Sequence, residues 1–192
     1  MLVPFSEPFN FSAKCNVGFL ASTGDVIVLL NDDVEARGEG FLAQLVAPLD
    51  EPGVGMTGAR LLYADGRLQH GGHVYAHGDL MHAFPGAGPD DPGPFAVLRV
   101  SREVSGLTAA CAAMTRETYE AVGGLCEVLP VNFNDVDLSM KVRSLGLRLV
   151  WLENVCLYHF ESRTRERVVH QQEYDFLTER WFFPDEDAYL RP

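Results

Sequence analysis

Basic residues are scarce in this 192-residue chain: 15 Lys and Arg stand against 27 Asp and Glu, a formal net charge of -12 at pH 7. A field of that sign disfavours nucleic acid as a partner. It also makes a cation useful wherever an anionic ligand must be held. Cysteine is sparse too. Cys15, Cys111, Cys126 and Cys156 lie far apart and form no C-x-x-C pair. That argues against a disulfide framework or a cysteine zinc site, and for reduced, mostly buried thiols in the cytoplasm. There is no apolar run long enough to cross a membrane and no charged-then-apolar leader before a cleavage site. Internal repeats, low-complexity tracts and glycine-rich phosphate loops are also missing. The chain is long enough for one domain with a real core, and its 47% hydrophobic content is ordinary for a globular protein.

What is present reads as alternating helices and strands. Ser12 is the expected N-cap of a helix over 13–21, with Gly24 as its stop. A strand over 25–30 follows, then a helix over 41–49 ended by Pro48 and Pro52, a strand over 54–63, and a turn at Asp65-Gly66. From His70 to Pro94 the chain is rich in Gly, Pro, His and Asp and is expected to be a long functional loop. Residues 97–104 and 107–114 look extended. Thr115 should cap a short helix that ends at Gly123-Gly124, and Asn134 another that runs to Leu145, with Leu138, Val142 and Leu145 as its core stripe. Strands over 147–152 and 155–158 and a last helix over 165–182 complete a pattern that favours an α/β sheet.

The most informative segment is Val26-Ile27-Val28-Leu29-Leu30 followed by Asn31-Asp32-Asp33. A buried strand ending in acid places carboxylates at the carboxyl edge of a sheet, where ligands of open α/β folds bind. There Asp33 can hold a hard divalent cation against a phosphate while Asp32 approaches a sugar or ribose. A plain polar turn accounts for the same residues. In Asn132-Phe133-Asn134-Asp135-Val136-Asp137, one acid can serve the helix start as Asn134's capping-box partner while the other faces a cleft. Asp137 is the structural choice and Asp135 the candidate general base for an acceptor hydroxyl. His159 follows a strand end and could join carboxylates around Mn²⁺, although a lone His there is usually a satisfied, half-buried one. His70, His73, His77 and His82 match no zinc spacing and read as solvated loop residues or as part of a lid. Arg163, Arg165 and Arg167 could approach a diphosphate or simply form a solvated basic run.

Together these pieces resemble the family 2 glycosyltransferases of the GT-A fold, and within them the bacterial rhamnosyltransferase-like branch. The resemblance is carried by Phe9-Asn10-Phe11-Ser12-Ala13-Lys14-Cys15-Asn16, by Thr23-Gly24-Asp25 through Asn31-Asp32-Asp33-Val34-Glu35, and by Gly58-Ala59-Arg60-Leu61-Leu62-Tyr63. It continues through Leu68-Gln69-His70-Gly71-Gly72, Asn134-Asp135-Val136-Asp137-Leu138, Leu157-Tyr158-His159 with Glu161-Ser162, and the tail from Trp181 to Pro192. It implies an α/β GT-A fold (nucleotide-diphospho-sugar transferase), with a mixed central sheet flanked by helices. It also implies inverting, metal-dependent transfer from a nucleotide-sugar donor to a glycan or lipid-linked acceptor in cell-surface polysaccharide synthesis. The family's D-x-D falls on Asn31-Asp32-Asp33, which makes Asp33 the safest ligand of Mn²⁺ or Mg²⁺. His159 falls where GT-A enzymes can complete the metal shell, and Asp135 falls on the base. Asn16, Asn31 and Asp32 are the implied donor contacts. Cys15 stands where the family often has Arg, and Asn134 where it has Glu.

The resemblance also implies a strand, a turn and a helix ahead of Phe9 that residues 1–8 do not supply. The expectation is therefore one N-terminally truncated, partial domain over 1–192. Residues 9–63 would form its metal-motif half, 64–100 a loop-rich segment, and 101–192 the acceptor and base side. Such a piece would expose sheet edge and could self-associate as a homo-oligomer. A cytoplasmic location, at the inner membrane face, goes with the donor chemistry. The competing reading is a non-catalytic remnant that serves as a binding or assembly module. A nucleotidyltransferase is disfavoured by the missing glycine-rich loop.

Overall fold

A computed structural model describes residues 1–160 and 169–190. Its centre is a seven-stranded mixed sheet, built where apolar runs can be buried on both faces. In chain order the strands are β1 (Val26–Leu30), β2 (Val34–Ala36), β3 (Val54–Leu62), β4 (Leu68–His70), β7 (Arg102–Glu103), β8 (Cys111–Thr115) and β9 (Arg148–His159). The spatial order is β1-β8-β3-β9-β2, with β4 added beside β3 and β7 beside β9. β3 and β9 run parallel, whereas β8 is antiparallel to both β1 and β3. Every residue of the central strand β3 is buried, as expected of a strand covered on both faces.

One face packs against α1 (Phe11–Ala21), α3 (Arg116–Ala121) and α4 (Asn134–Ser144). Its core includes Met56, Leu107, Tyr119, Leu138, Val142 and Trp151. The other face is covered by α2 (Phe41–Val46) and the 3-10 turn Ala47–Asp50, through Leu45 and Leu49 against Ala59, Leu61 and Leu157. A third cluster joins the outer face of α4 to α5 (Gln171–Arg180) and to the hairpin β5 (His73–Ala76) and β6 (Asp79–His82), through Tyr75, Val136, Met140, Leu177 and Phe183. Among the described residues, no helix is long and apolar enough to cross a membrane.

Several local expectations are corrected. The N-cap of α1 is Asn10, whose side chain accepts from Ala13 N–H at 3.0 Å; Ser12 is buried and its hydroxyl donates to Leu129 O at 2.8 Å. Asn134 is the first residue of α4, not its cap. The cap position is Phe133, in the left-handed region at φ 60°, a conformation that costs a non-glycine residue energy. Leu145 is exposed at 46%, while Leu138 and Val142 are fully buried. The two late strands are one, because β9 continues through residues 153–154 as a bulge in its pairing with β3. Extended structure in 97–104 and 107–114 shrinks to β7 and β8. Only 171–180 of the last helical candidate is helical, and 165–168 lies outside the described residues. The expected loop after His70 contains the β5–β6 hairpin. Its two-residue turn, His77-Gly78, has φ of 55° and 74°, the primed geometry that suits the twist of paired strands.

Candidate functional site

The site forms where β1, β9 and the start of α4 converge. Asn31 N–H donates to Ala110 O at 3.0 Å, which holds the acidic turn against β8. The chain then doubles back into β2, whose Val34 pairs with His159 at the end of β9, and Phe160 N–H donates to Asp33 O at 2.9 Å. This register puts the Asp33 carboxylate 3.1 Å from His159 Nε2, with Asn31 Nδ2 3.3 Å from the same nitrogen. On the far side of the ring, Nδ1 lies 2.7 Å from Gln69 Oε1, and Gln69 Nε2 donates to His159 O at 3.3 Å. Gln69 thereby orients the ring: its Oε1 accepts from Nδ1–H, and Nε2 is the nitrogen turned toward Asp33. A carboxylate oxygen and a ring nitrogen 3.1 Å apart can share a proton or, with the ring neutral, a cation. Ligands on adjacent corners of an octahedron about 2.1 Å from a Mg²⁺-sized ion lie about 3.0 Å apart. Asp33 and His159 therefore fit a divalent cation, with Gln69 orienting the imidazole from behind.

Asp135 sits in the first turn of α4. Its carboxylate accepts from Val136 N–H at 2.9 Å and from Ala109 N–H at 3.3 Å. The loop before it is tied down by buried Glu173 of α5, which accepts from the backbone N–H groups of Val131 and Asn132. Asn31, Asp32, Asp33, Asp135 and His159 line one cavity of about 700 Å³, along with Lys14, Cys15 and Thr108. Asp32 is the exposed member at its rim.

Asn16 is placed differently from its expected role as a donor contact. Its amide donates to Leu125 O and Glu127 Oε1 and accepts from Tyr119 Oη and Leu125 N–H, at 2.7–3.0 Å. It pins α1 to the 119–127 segment and is not among the residues lining the cavity. Asp137 is fully buried, paired with Lys141 at 2.8 Å and Arg180 at 3.2 Å, and accepts from Trp181 Nε1. Arg163, Arg165 and Arg167 lie outside the described residues. Sequence reasoning assigned no role to Gln69, although its stretch helps carry the resemblance, or to Glu173, because both act on partners more than forty positions away.

The histidine-rich segment is only partly the solvated loop expected: His77 is exposed in the hairpin turn. His70 and His73 are 1% and 3% exposed, and with His82 they line a second cavity of about 330 Å³. Thr108, Asp135 and His159 line both cavities. Burial pushes the His70 pKa well below its ordinary value, helped by His73, His82, Arg102 and His159. Burial likewise takes His73 down to about 4 and lowers His82, against the upward pull of Asp135 on both. A group whose folded pKa lies below its unfolded value takes up its proton first in the unfolded chain. The stability contributed by neutral His73 is therefore complete above about pH 6.5 and is lost as pH falls through about 4. Melts in EDTA should show Tm falling across that window, with a shallower slope for His73→Gln. A flat profile would mean these rings are solvated after all.

Residues 2–123 match the model of a family described as glycosyl transferase family 2. Over 190 residues the chain is 40% identical to the uncharacterized protein y4gI of Sinorhizobium fredii, covering 92% of this chain and 20% of that protein. Over 195 residues it is 31% identical to the O-antigen biosynthesis protein RfbC of Myxococcus xanthus, covering 98% of this chain and 15% of that protein. The chain thus spans a fifth or less of the length of these curated relatives. In fold it is similar to the mannosyltransferase PcManGT of Pyrobaculum calidifontis, solved with GDP-Man and Mn²⁺ (TM-score 0.59, 19% identity, 85% of this chain and 40% of that one). It is also similar to GalNAc-T7, solved with UDP, GalNAc and Mn²⁺ (TM-score 0.59, 14% identity, 79% and 30%).

Proposed function

The chain belongs to glycosyl transferase family 2 and is built on the GT-A fold; from that premise we propose that its larger cavity carries out inverting transfer of a sugar from a nucleoside diphosphate donor to an acceptor hydroxyl. The observation that carries this reading is the meeting of Asp33, His159 and Asp135 on one cavity wall, with the Asp33 carboxylate 3.1 Å from His159 Nε2. Asp33 and His159 would hold Mn²⁺ or Mg²⁺, which when bound neutralises the charge that grows on a departing diphosphate. The Mn²⁺ and nucleotide in the two solved structures support this choice. Asn31 and Asp32 face the donor from the same turn. Asp135, held by two backbone N–H groups, accepts the acceptor's proton as its oxygen attacks the anomeric carbon. Thr108 and Asn132, which line both cavities, place the acceptor opposite the leaving group. The function stated in the name of the Myxococcus relative supports a glycan or lipid-linked acceptor of cell-surface polysaccharide.

The test is calorimetric titration of UDP, dTDP and GDP with Mn²⁺ into wild type and Asp33→Ala. Metal-dependent binding that falls by about 100-fold or more in the variant is expected, since a carboxylate ligand is lost. A folded wild type that binds no nucleotide in the presence of Mn²⁺ or Mg²⁺ would remove the donor site from this chain and leave the binding-module reading.

A further inference from the structure

The hairpin β5–β6 pairs His73 directly with His82, and the chain reaches it from His70 at the end of β4 through Gly72, whose φ is 97°. Three imidazoles far apart in spacing therefore meet in space. Their ring centroids are 5.0, 5.1 and 5.0 Å apart, and their planes cross at 81°, 82° and 76°. One ligand nitrogen from each lies within 4.8 Å of the others. From this near-threefold arrangement we infer that His70, His73 and His82 form a second metal centre, separate from Asp33 and His159, that binds Zn²⁺ or a cation of similar borderline character.

The dimensions agree with that assignment. A ring whose nitrogen is about 2.0–2.1 Å from zinc has its centroid about 3.2 Å from the ion, and three such rings at tetrahedral angles sit about 5.2 Å apart. The Nδ1 atoms of His70 and His82 are 2.9 Å apart, close to the roughly 3.3 Å between two nitrogens on one tetrahedral zinc. A hydrogen-bond relay explains part of the cluster. Thr108 N–H donates to His70 Nε2 at 3.2 Å, so without metal the His70 proton sits on Nδ1 and is shared with His82. The relay gives no role to His73, whose Nδ1 is buried with no hydrogen-bond partner among the described residues. It also gives no reason for three equal separations. Ligation through His70 Nδ1 puts that ring's proton on Nε2 at the expense of the Thr108 contact.

The donor set decides the class of cation. Three neutral imidazoles without a carboxylate suit zinc, whereas Mg²⁺ prefers an oxygen shell. Three protein ligands leave one coordination position open, as in zinc sites that take water or substrate. The cluster lines the smaller cavity, which Asp135 also lines. If the glycosyl-transfer reading holds, the open position receives an acceptor oxygen beside its base; metal binding itself does not depend on that reading.

Chelator-treated protein titrated with Co²⁺, with no nucleotide or acceptor present, tests the centre. The expected result is one equivalent per chain with the visible spectrum of four-coordinate Co²⁺, displaced by Zn²⁺, and unchanged in Asp33→Ala. His82→Ala, at the most exposed of the three positions, should lose about 100-fold or more in affinity while keeping its near-UV circular dichroism. His73→Gln should behave in the same way. A folded wild type with no four-coordinate signal would overturn the proposal. So would binding that vanishes in Asp33→Ala and survives in His82→Ala. Neither result touches the nucleotide titration, so the two readings fail separately.

Discussion

Asp135→Asn should cut sugar transfer by about 10²–10⁴-fold, the range that a positioned general base supplies, while leaving metal-dependent nucleotide binding near wild type. The substitution preserves shape. Asn can still accept from Val136 N–H or Ala109 N–H, the two donors that hold the carboxylate at 2.9 and 3.3 Å, so the first turn of α4 should survive. What disappears is the proton acceptor. The proposed cation site uses different residues, Asp33 and His159, so a variant that also loses nucleotide binding would point to collapse of the cavity rather than to loss of a base. Steady-state transfer and calorimetry on the same preparation separate the two. Transfer at wild-type rate by Asp135→Asn would end the assignment.

The sequence carried the parts of this site that are local. An apolar run followed by acid is a strand with an acidic edge whatever surrounds it. Thr115 does cap α3, accepting from Thr118 N–H, because a cap is a contact across three positions. The separate placement of Asp135 and Asp137, one on the cavity wall and one buried among Lys141, Arg180 and Trp181, was also readable, since two acids in one helical turn cannot face the same way. What could not be read was long-range. Gln69 orients His159 across 90 positions, and Glu173 holds the loop before Asp135 from 41 and 42 positions away. His70 and His73 were misjudged as solvated for the same reason. Their spacing resembles no linear zinc pattern because β-pairing, not spacing, brings His73 opposite His82. Phe133 at φ 60° displaced Asn134 as the cap because tertiary packing, including the Phe133–Tyr174 ring contact at 5.7 Å, overrides capping preference.

The largest effect on stability is expected at Asp137→Ala. Its carboxylate is fully buried and paired with Lys141 at 2.8 Å, Arg180 at 3.2 Å and Trp181 Nε1 at 2.9 Å. Removing one partner of a buried pair leaves a charge uncompensated, at about 3–5 kcal/mol. Most of that cost falls on Lys141, whose side chain is 12% exposed; Arg180, at 40%, can turn to solvent and contributes little. For a domain of this size the loss corresponds to a Tm drop of about 10 °C. Asp137→Asn keeps an acceptor for Trp181 and should fall between the two. Adding Lys141→Met to Asp137→Ala should recover part of the loss, because the two sites share one interaction. The damage should also reach the chemistry. Trp181 and Arg180 end α5, and Glu173 at its start fixes the loop that delivers Asp135. Loosening α5 from α4 therefore frees Asp135, the proposed base, as well as the fold. Urea denaturation and transfer assays below the transition read the two consequences separately. A Tm within about 2 °C of wild type would mean that the pair stores little energy and that α5 is held by Leu177 and its apolar neighbours instead.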